Sequence, residues 1–272
     1  MRNRRRFLAY PYVLWMAFFV VAPIVLVVVY AFTSQSGGFT LENFAKTGEY
    51  VGVFGRSFLL AAAATAVCLL LGYPLSYAMS RESGGLRRVF TVLIMLPMWM
   101  NFLLRTYAWM SILEDTGLLN RLLGALGLPA VHIINTQAAV VLGMVYNFLP
   151  FMVLPIYSVI TKIDVSVIEA AQDLGAGPPR VFRRVILPLS LPGVLSGITM
   201  VFVPAVSTFV ISQLLGGGKK LLLGDLIERQ FLGATYNPHL GSAIALVMMV
   251  VVIICIFVMN RFGDGGEEAV LL

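Results

Sequence analysis

Two stretches of this 272-residue chain hold residues whose types and spacing could do chemistry. The first, from Thr161 to Pro188, reads TKIDVSVIEAAQDLGAGPPRVFRRVILP. Ser166 and Glu169 fit a capping box, in which a hydroxyl and a carboxylate satisfy the free amides at a helix start. Val167, Ala170, Ala171 and Leu174 then share one helical stripe, with Glu169, Gln172 and Asp173 on the other side. Gly175 stands where a helix ends in a left-handed residue, and Pro178 and Pro179 suit the first turn of a second helix. The spacing predicts a compact helix–turn–helix that offers Ala170 and Ala171 beside a carboxylate. Small side chains at an exposed turn let another protein's groove approach closely; a solvated loop is the plainer alternative.

The second stretch holds Trp99, Asn101, Tyr107 and Trp109, followed by Glu114 and Asp115. Aromatic faces, amides and carboxylates are the groups that pass a cationic solute along, through cation–π and charge-assisted contacts. The same aromatics populate interfacial belts in membrane proteins, and Asn101 or Asn147 could serve only to bond a neighbouring helix. Other chemistries are poorly provided for. His132 and His239 lie far apart and no metal-ligand spacing occurs. Gly216-Gly217-Gly218-Lys219 misses a phosphate loop, since Gln213 replaces the first glycine and Lys220 the final Ser/Thr. We therefore expect no catalytic residues, no metal site and no cofactor bound by this chain.

The elements that must position these residues are apolar. The chain is 59% hydrophobic and 12% charged, whereas soluble domains run near 45–50% and ~25%; the solvent for the excess is lipid. A bilayer core of ~30 Å needs ~20 residues of helix, and six segments qualify: 10–32, 57–79, 89–113, 138–160, 189–214 and 240–262. The third is interrupted by Arg105, which is expected to snorkel to the interface and pair with a carboxylate or a lipid phosphate. Met1-Arg-Asn-Arg-Arg-Arg6 resembles the start of a signal peptide, but the following apolar run is too long, so it reads as an uncleaved first span. With the N-terminus inside, twelve Lys/Arg fall on inner segments and seven on outer ones, which predicts both termini in the cytoplasm. The net charge of +6 is thus explained by orientation in the bilayer rather than by nucleic acid. Cys68 and Cys255 lie in apolar runs and read as small hydrophobes. Gly193-x-x-x-Gly197 and Ala61–Ala64 hint at close helix contacts. The expected fold is an all-α membrane bundle of about six transmembrane helices with a cytoplasmic helical segment at 161–188, between a cytoplasmic N-terminus (1–9) and a cytoplasmic tail (263–272). An ion-coupled transporter or a membrane enzyme would show buried ionisable clusters, which the six segments lack.

Glu169-Ala170-Ala171, three residues, Gly175, nine residues, then Val185-Ile186-Leu187-Pro188 closely resembles the EAA motif of permease subunits of binding-protein-dependent ABC importers, with Val185 where that pattern has Ile. Leu96-Pro97-Met98-Trp99, Leu104-Arg105-Thr106-Tyr107-Ala108-Trp109, Gly117-Leu118-Leu119-Asn120, Leu214-Leu215-Gly216-Gly217 and 226–232 are similar to the spermidine/putrescine permeases, over about residues 7–262. The resemblance implies a permease subunit in the cell membrane that imports a polyamine, or another small solute such as an amino acid, organic cation or sugar. It makes 10–262 the transmembrane domain and 161–188 a coupling helix, with Glu169, Ala170, Ala171 and Gly175 docking on a cytoplasmic ATPase subunit. It further implies ATP and Mg on that ATPase, a second, different permease, and an extracytoplasmic solute-binding protein.

Overall fold

A computed structural model describes residues 10–218, 220–233 and 236–263. The expected N-terminal segment 1–9, and the expected tail beyond Gly263, lie outside these. The helices in chain order are α1 (Pro11–Phe32), α2 (Glu42–Thr47), α3 (Val51–Arg81), α4 (Gly84–Trp99), α5 (Phe102–Leu113), α6 (Leu118–Ala125), α7 (Gln137–Ile160), α8 (Val165–Asp173), α9 (Pro178–Leu189), α10 (Leu191–Ser207), α11 (Val210–Gly216), α12 (Leu223–Leu232) and α13 (Pro238–Gly263). The described residues contain no strand, only an isolated bridge between Thr33 and Phe39.

Four stretches are long and apolar enough to cross a bilayer without a sharp break: α1, 42–81, α7 and 238–259. The third and fifth expected spans are not single helices. α4 meets 102–125 at 94°, and α9 meets α10 at 61°. The first break falls at Met100 and Asn101, both in extended backbone, with Pro97 in the turn before them. Oδ1 of Asn101 accepts the amides of Leu103 (2.9 Å) and Leu104 (3.3 Å), so Asn101 starts a new helix instead of continuing the old one. The fifth segment also stops early. α10 ends at Ser207, Thr208 is extended, and α11 begins at Val210. Gly224 lies against this break: a Cβ there would collide with the carbonyl oxygens of Ser207 and Thr208.

Prolines inside α1 and α9 are absorbed by widened turns. Pro23 follows a π-turn over Ala17–Val21, and Pro188 follows one over Phe182–Ile186. A proline ring clashes with the carbonyl four residues back. That residue is Phe19 or Arg184, inside the π-turn in each case, where the wider ring makes room.

By contact the chain divides into two units, 1–54 with 226–252, and 55–225 with 253–272. In the first, Asn43 Nδ2 donates to the carbonyls of Ala31 (3.1 Å) and Thr33 (3.0 Å), closing the end of α1 on α2. His239 Nδ1 lies 3.1 Å from the Tyr30 carbonyl, its ring edge-on to that of Tyr30. In the second unit, α7 and α10 pair extensively. Gly193 and Gly197 of α10 sit directly on Pro155 and Met152 of α7, as the small-residue spacing anticipates. The buried face of α3 carries small residues, Ser57, Ala61, Ala64, Cys68, Gly72 and Ser76, beside Leu60, Thr65, Tyr73 and Met79.

Arg105 departs from expectation. Its side chain does not snorkel: the residue is 8% exposed, and neither Nε nor Nη1 has a hydrogen-bond partner among the described residues. The neighbouring helix α7 carries a matching deficit. Asn147, also buried, spends its amide on the Gly143 carbonyl and leaves Oδ1 unbonded.

Candidate coupling segment and solute pathway

The 161–188 segment folds as a short helix, a glycine turn and a second helix, standing in the chain between α7 and α10. The start of α8 is not the expected capping box. Asp164, not Ser166, is the N-cap, and its carboxylate accepts the Ser166 amide at 3.0 Å. Asp164 takes the cap because its carboxylate, on extended backbone, reaches the orphan amide of the second helical residue, Ser166. The bond from the Ser166 amide, with a further one from the Ser166 side chain, holds the Asp164 carboxyl below the ordinary carboxylate range. That contribution is present above the unfolded-state pKa and is lost as pH falls through the folded one.

The other end matches expectation. Gly175 has φ +80°, its amide donates to the Gln172 carbonyl (2.8 Å), and Ala176 donates to that of Ala171 (3.0 Å). This pair of bonds is a Schellman turn. Pro178 and Pro179 open α9.

The turn leaves Glu169 and Ala170 exposed, with Ala171 half-buried. Val167 is exposed, and Leu174 at the C-cap is 90% exposed. The apolar stripe legible in the sequence therefore points away from this chain's own core. Ile168, one residue off the stripe, instead faces inward and lines a cavity with Tyr77 and Ile186. Leu174 lies exposed beside the four residues that the motif singles out. The stripe contained it, but only the exposure of the folded turn shows it to be uncovered.

The six residues of the second stretch are divided by the break before α5. Trp99 ends α4 and is 75% exposed. Asn101 caps α5, Tyr107 is exposed on it, and Trp109 packs edge-on against Tyr146 of α7 with ring centroids 5.3 Å apart. Glu114 and Asp115 follow α5 and are exposed. Asp115 is bound to His132 Nδ1 at 2.6 Å. Asn120 clamps the same loop: its Oδ1 accepts the Val131 amide (2.8 Å) and its Nδ2 donates to the Val131 carbonyl (3.1 Å). Only Trp109 is thus tied to a second long helix, while Asp115 and Asn101 have local structural partners. Asn101→Ala is expected to lower stability by about 1 kcal/mol through loss of the cap. Asn101→Ser should restore both stability and transport; a transport defect persisting in the serine variant, with its thermal stability restored, would assign Asn101 to the solute instead.

Sequence reasoning passed over one buried carboxylate. Asp225, 1% exposed in the first turn of α12, accepts Ser212 Oγ (2.6 Å) and the Leu222 amide (2.9 Å). Ser57 Oγ accepts the Leu223 amide at 2.8 Å. These bonds pin the start of α12 to α11 and α3, beside the break at Thr208. The available signal was an acidic residue in the first turn of a helix.

Residues 69–264 match the family described as binding-protein-dependent transport system inner membrane component. The spermidine/putrescine transport system permease protein PotB of Haemophilus influenzae is 40% identical over 258 residues, covering 91% of this chain and 90% of that one. PotB of Escherichia coli is 36% identical over 247 residues, covering 87% and 90%. Among solved structures, a bacterial ABC transporter involved in the import of the acidic polysaccharide alginate has a chain of the same fold, with a TM-score of 0.76 at 18% identity and 96% of each chain covered. With its apolar helices and this family match, the chain is a multi-pass membrane permease subunit, and it belongs to the family of inner membrane components of binding-protein-dependent transport systems.

Proposed function

We propose that this permease imports a polyamine such as spermidine or putrescine, delivered by an extracytoplasmic solute-binding protein and driven by ATP hydrolysis on separate cytoplasmic ATPase subunits. The observation that carries the substrate is the 40% identity to a spermidine/putrescine permease along nine-tenths of the chain. The drive is supported by the exposed stripe of α8, whose alanines, Val167 and Leu174 are what a groove on another protein would cover. α8 is the coupling helix, docked through Glu169, Ala170, Ala171 and Gly175. ATP and Mg belong to the ATPase. A second, different permease completes the pathway, and Trp99, Tyr107 and Trp109 offer aromatic faces to the ammonium groups, with Glu114 and Asp115 near the outer mouth. The positive-charge bias sets both termini and α8 in the cytoplasm.

The experiment is ATPase activity of the reconstituted transporter with its binding protein, comparing spermidine, putrescine, an amino acid and a sugar. Stimulation by the polyamines alone is the expected result. Stimulation by another solute would keep the importer and remove the polyamine.

Gly175→Asp and Glu169→Lys test the coupling residues. Space around Gly175 is open, so the cost of a side chain there is the left-handed backbone, about 1–2 kcal/mol. Each variant is expected to lose substrate-stimulated ATPase about tenfold, as a docking loss near 1.4 kcal/mol implies, at unchanged membrane levels. Gly175→Asn, which tolerates this backbone better, should lie between them and the wild type.

A further inference from the structure

Behind the coupling helix lies a cavity of about 160 Å³, lined by Tyr77, Ser80 and Arg81 at the end of α3, Arg87 of α4, Thr161 after α7, and Val165 and Ile168 of α8 among others. We infer that it is a phosphate site, filled by the headgroup of an anionic lipid of the cytoplasmic leaflet. Arg81 and Arg87 line it and no aspartate or glutamate does. The nearest acids in sequence are otherwise placed: Asp164 caps α8, and neither it nor Glu82 lines the space.

Arg87 is held in position. Its Nε donates to the Glu82 carbonyl (3.0 Å) and its Nη2 to the Ser80 carbonyl (3.3 Å), so the planar group is oriented, and Nη1 makes no bond among the described residues. Tyr77 is fixed edge-on against Phe182 at 5.2 Å. The Thr161 and Ser80 hydroxyls already donate to carbonyls, which leaves the arginines and the Tyr77 hydroxyl as the donors that matter. Paired guanidinium groups match the oxygens of a phosphate through charge-assisted bonds.

Placement selects the lipid. The turn from Arg81 to Arg88 is an inner segment by charge bias, and basic pockets between helices on this side suit anionic headgroups. The cationic solute proposed above would be repelled. A bound phosphate would join the α3–α4 turn to the inner face of α8, making coupling depend on anionic lipid. This does not rest on the polyamine reading.

The test is native mass spectrometry of the assembled transporter from nanodiscs of phosphatidylcholine with phosphatidylglycerol. The wild type should retain phosphatidylglycerol preferentially, and Arg81→Gln and Arg87→Gln should each lose about fivefold in that preference, the share one arginine contributes near an anionic surface. Arg87→Gln also removes two bonds to backbone carbonyls; Arg81 makes no such bond among those described, so its variant keeps the test independent of folding. Wild-type preference in Arg81→Gln would overturn the site. Loss of the bound lipid on adding inorganic phosphate, with the same arginines required, would overturn the lipid source and assign the cavity to free phosphate.

Discussion

Leu174→Asp is expected to abolish solute-stimulated ATP hydrolysis while leaving the protein in the membrane at normal levels. Leu174 is 90% exposed and makes its turn with Gly175 next in chain, so the folded chain loses almost no packing when it is replaced. What is lost is the surface offered outward. Burying a leucine fully against a partner is worth about 1.5–3 kcal/mol. A carboxylate forced into the same groove adds a desolvation cost. Together these predict a docking defect on the order of 100-fold, larger than that of Gly175→Asp because the apolar anchor itself is removed. Leu174→Met conserves volume and should retain most activity. The measurement is ATPase stimulation in proteoliposomes, with co-purification of the ATPase as the binding readout. Full stimulation by Leu174→Asp would mean that the stripe of α8 is not the docking face.

The same residues show what was legible in the sequence. Helical periodicity placed Val167, Ala170, Ala171 and Leu174 on one stripe, and the glycine and the prolines marked its ends; Gly175 and Pro178 stand as expected. Which way the stripe faces is a tertiary fact. Local pattern cannot supply it, because an apolar stripe reads alike whether its partner is this chain or another. Hydropathy likewise located the four stretches that cross without a sharp break, but not the turns at Asn101, Ser190 and Thr208 that interrupt the third and fifth expected segments. An average over ~20 residues is blind to backbone direction. The signals at Asn101 are local, a proline followed four residues later by a capping side chain, and from sequence the same amide reads equally as a solute contact. Arg105 illustrates the reverse error. Snorkelling supposes a straight helix with its end at the interface, whereas the break at Met100 and Asn101 starts α5 afresh and buries Arg105 in its first turn. The unbonded Oδ1 of Asn147 on the adjoining α7 is a deficit of the opposite polarity, and neither deficit is visible without the packing.

Gly193→Ala is expected to damage the permease more than Gly197→Ala, although both glycines belong to one small-residue pattern on α10. A Cβ at Gly197 meets Met152 Sδ at 2.8 Å and the Met152 carbonyl at 3.1 Å. The thioether is flexible and can withdraw, so most of that clash is relieved by a rotamer change. At Gly193 the Cβ meets the Pro155 carbonyl at 2.9 Å and Val159 Cγ2 and Cβ at 2.9 and 3.0 Å. A proline carbonyl and a β-branched side chain cannot move aside without shifting α7 itself. Overpacking of this kind costs about 1–3 kcal/mol, and Gly193→Leu should exceed that range and reduce the yield of folded protein. The consequence reaches α8 because α7 leads into α8 and α9 leads into α10, so this glycine contact closes the base on which the proposed coupling helix is carried. A lever transmits force only if its base moves as one piece. Gly193→Ala should therefore lower transport per ATP hydrolysed as well as thermal stability, whereas Gly197→Ala should lower stability slightly and leave that ratio unchanged. Equal melting temperatures for the two alanine variants would show that α7 and α10 are not held together at Gly193.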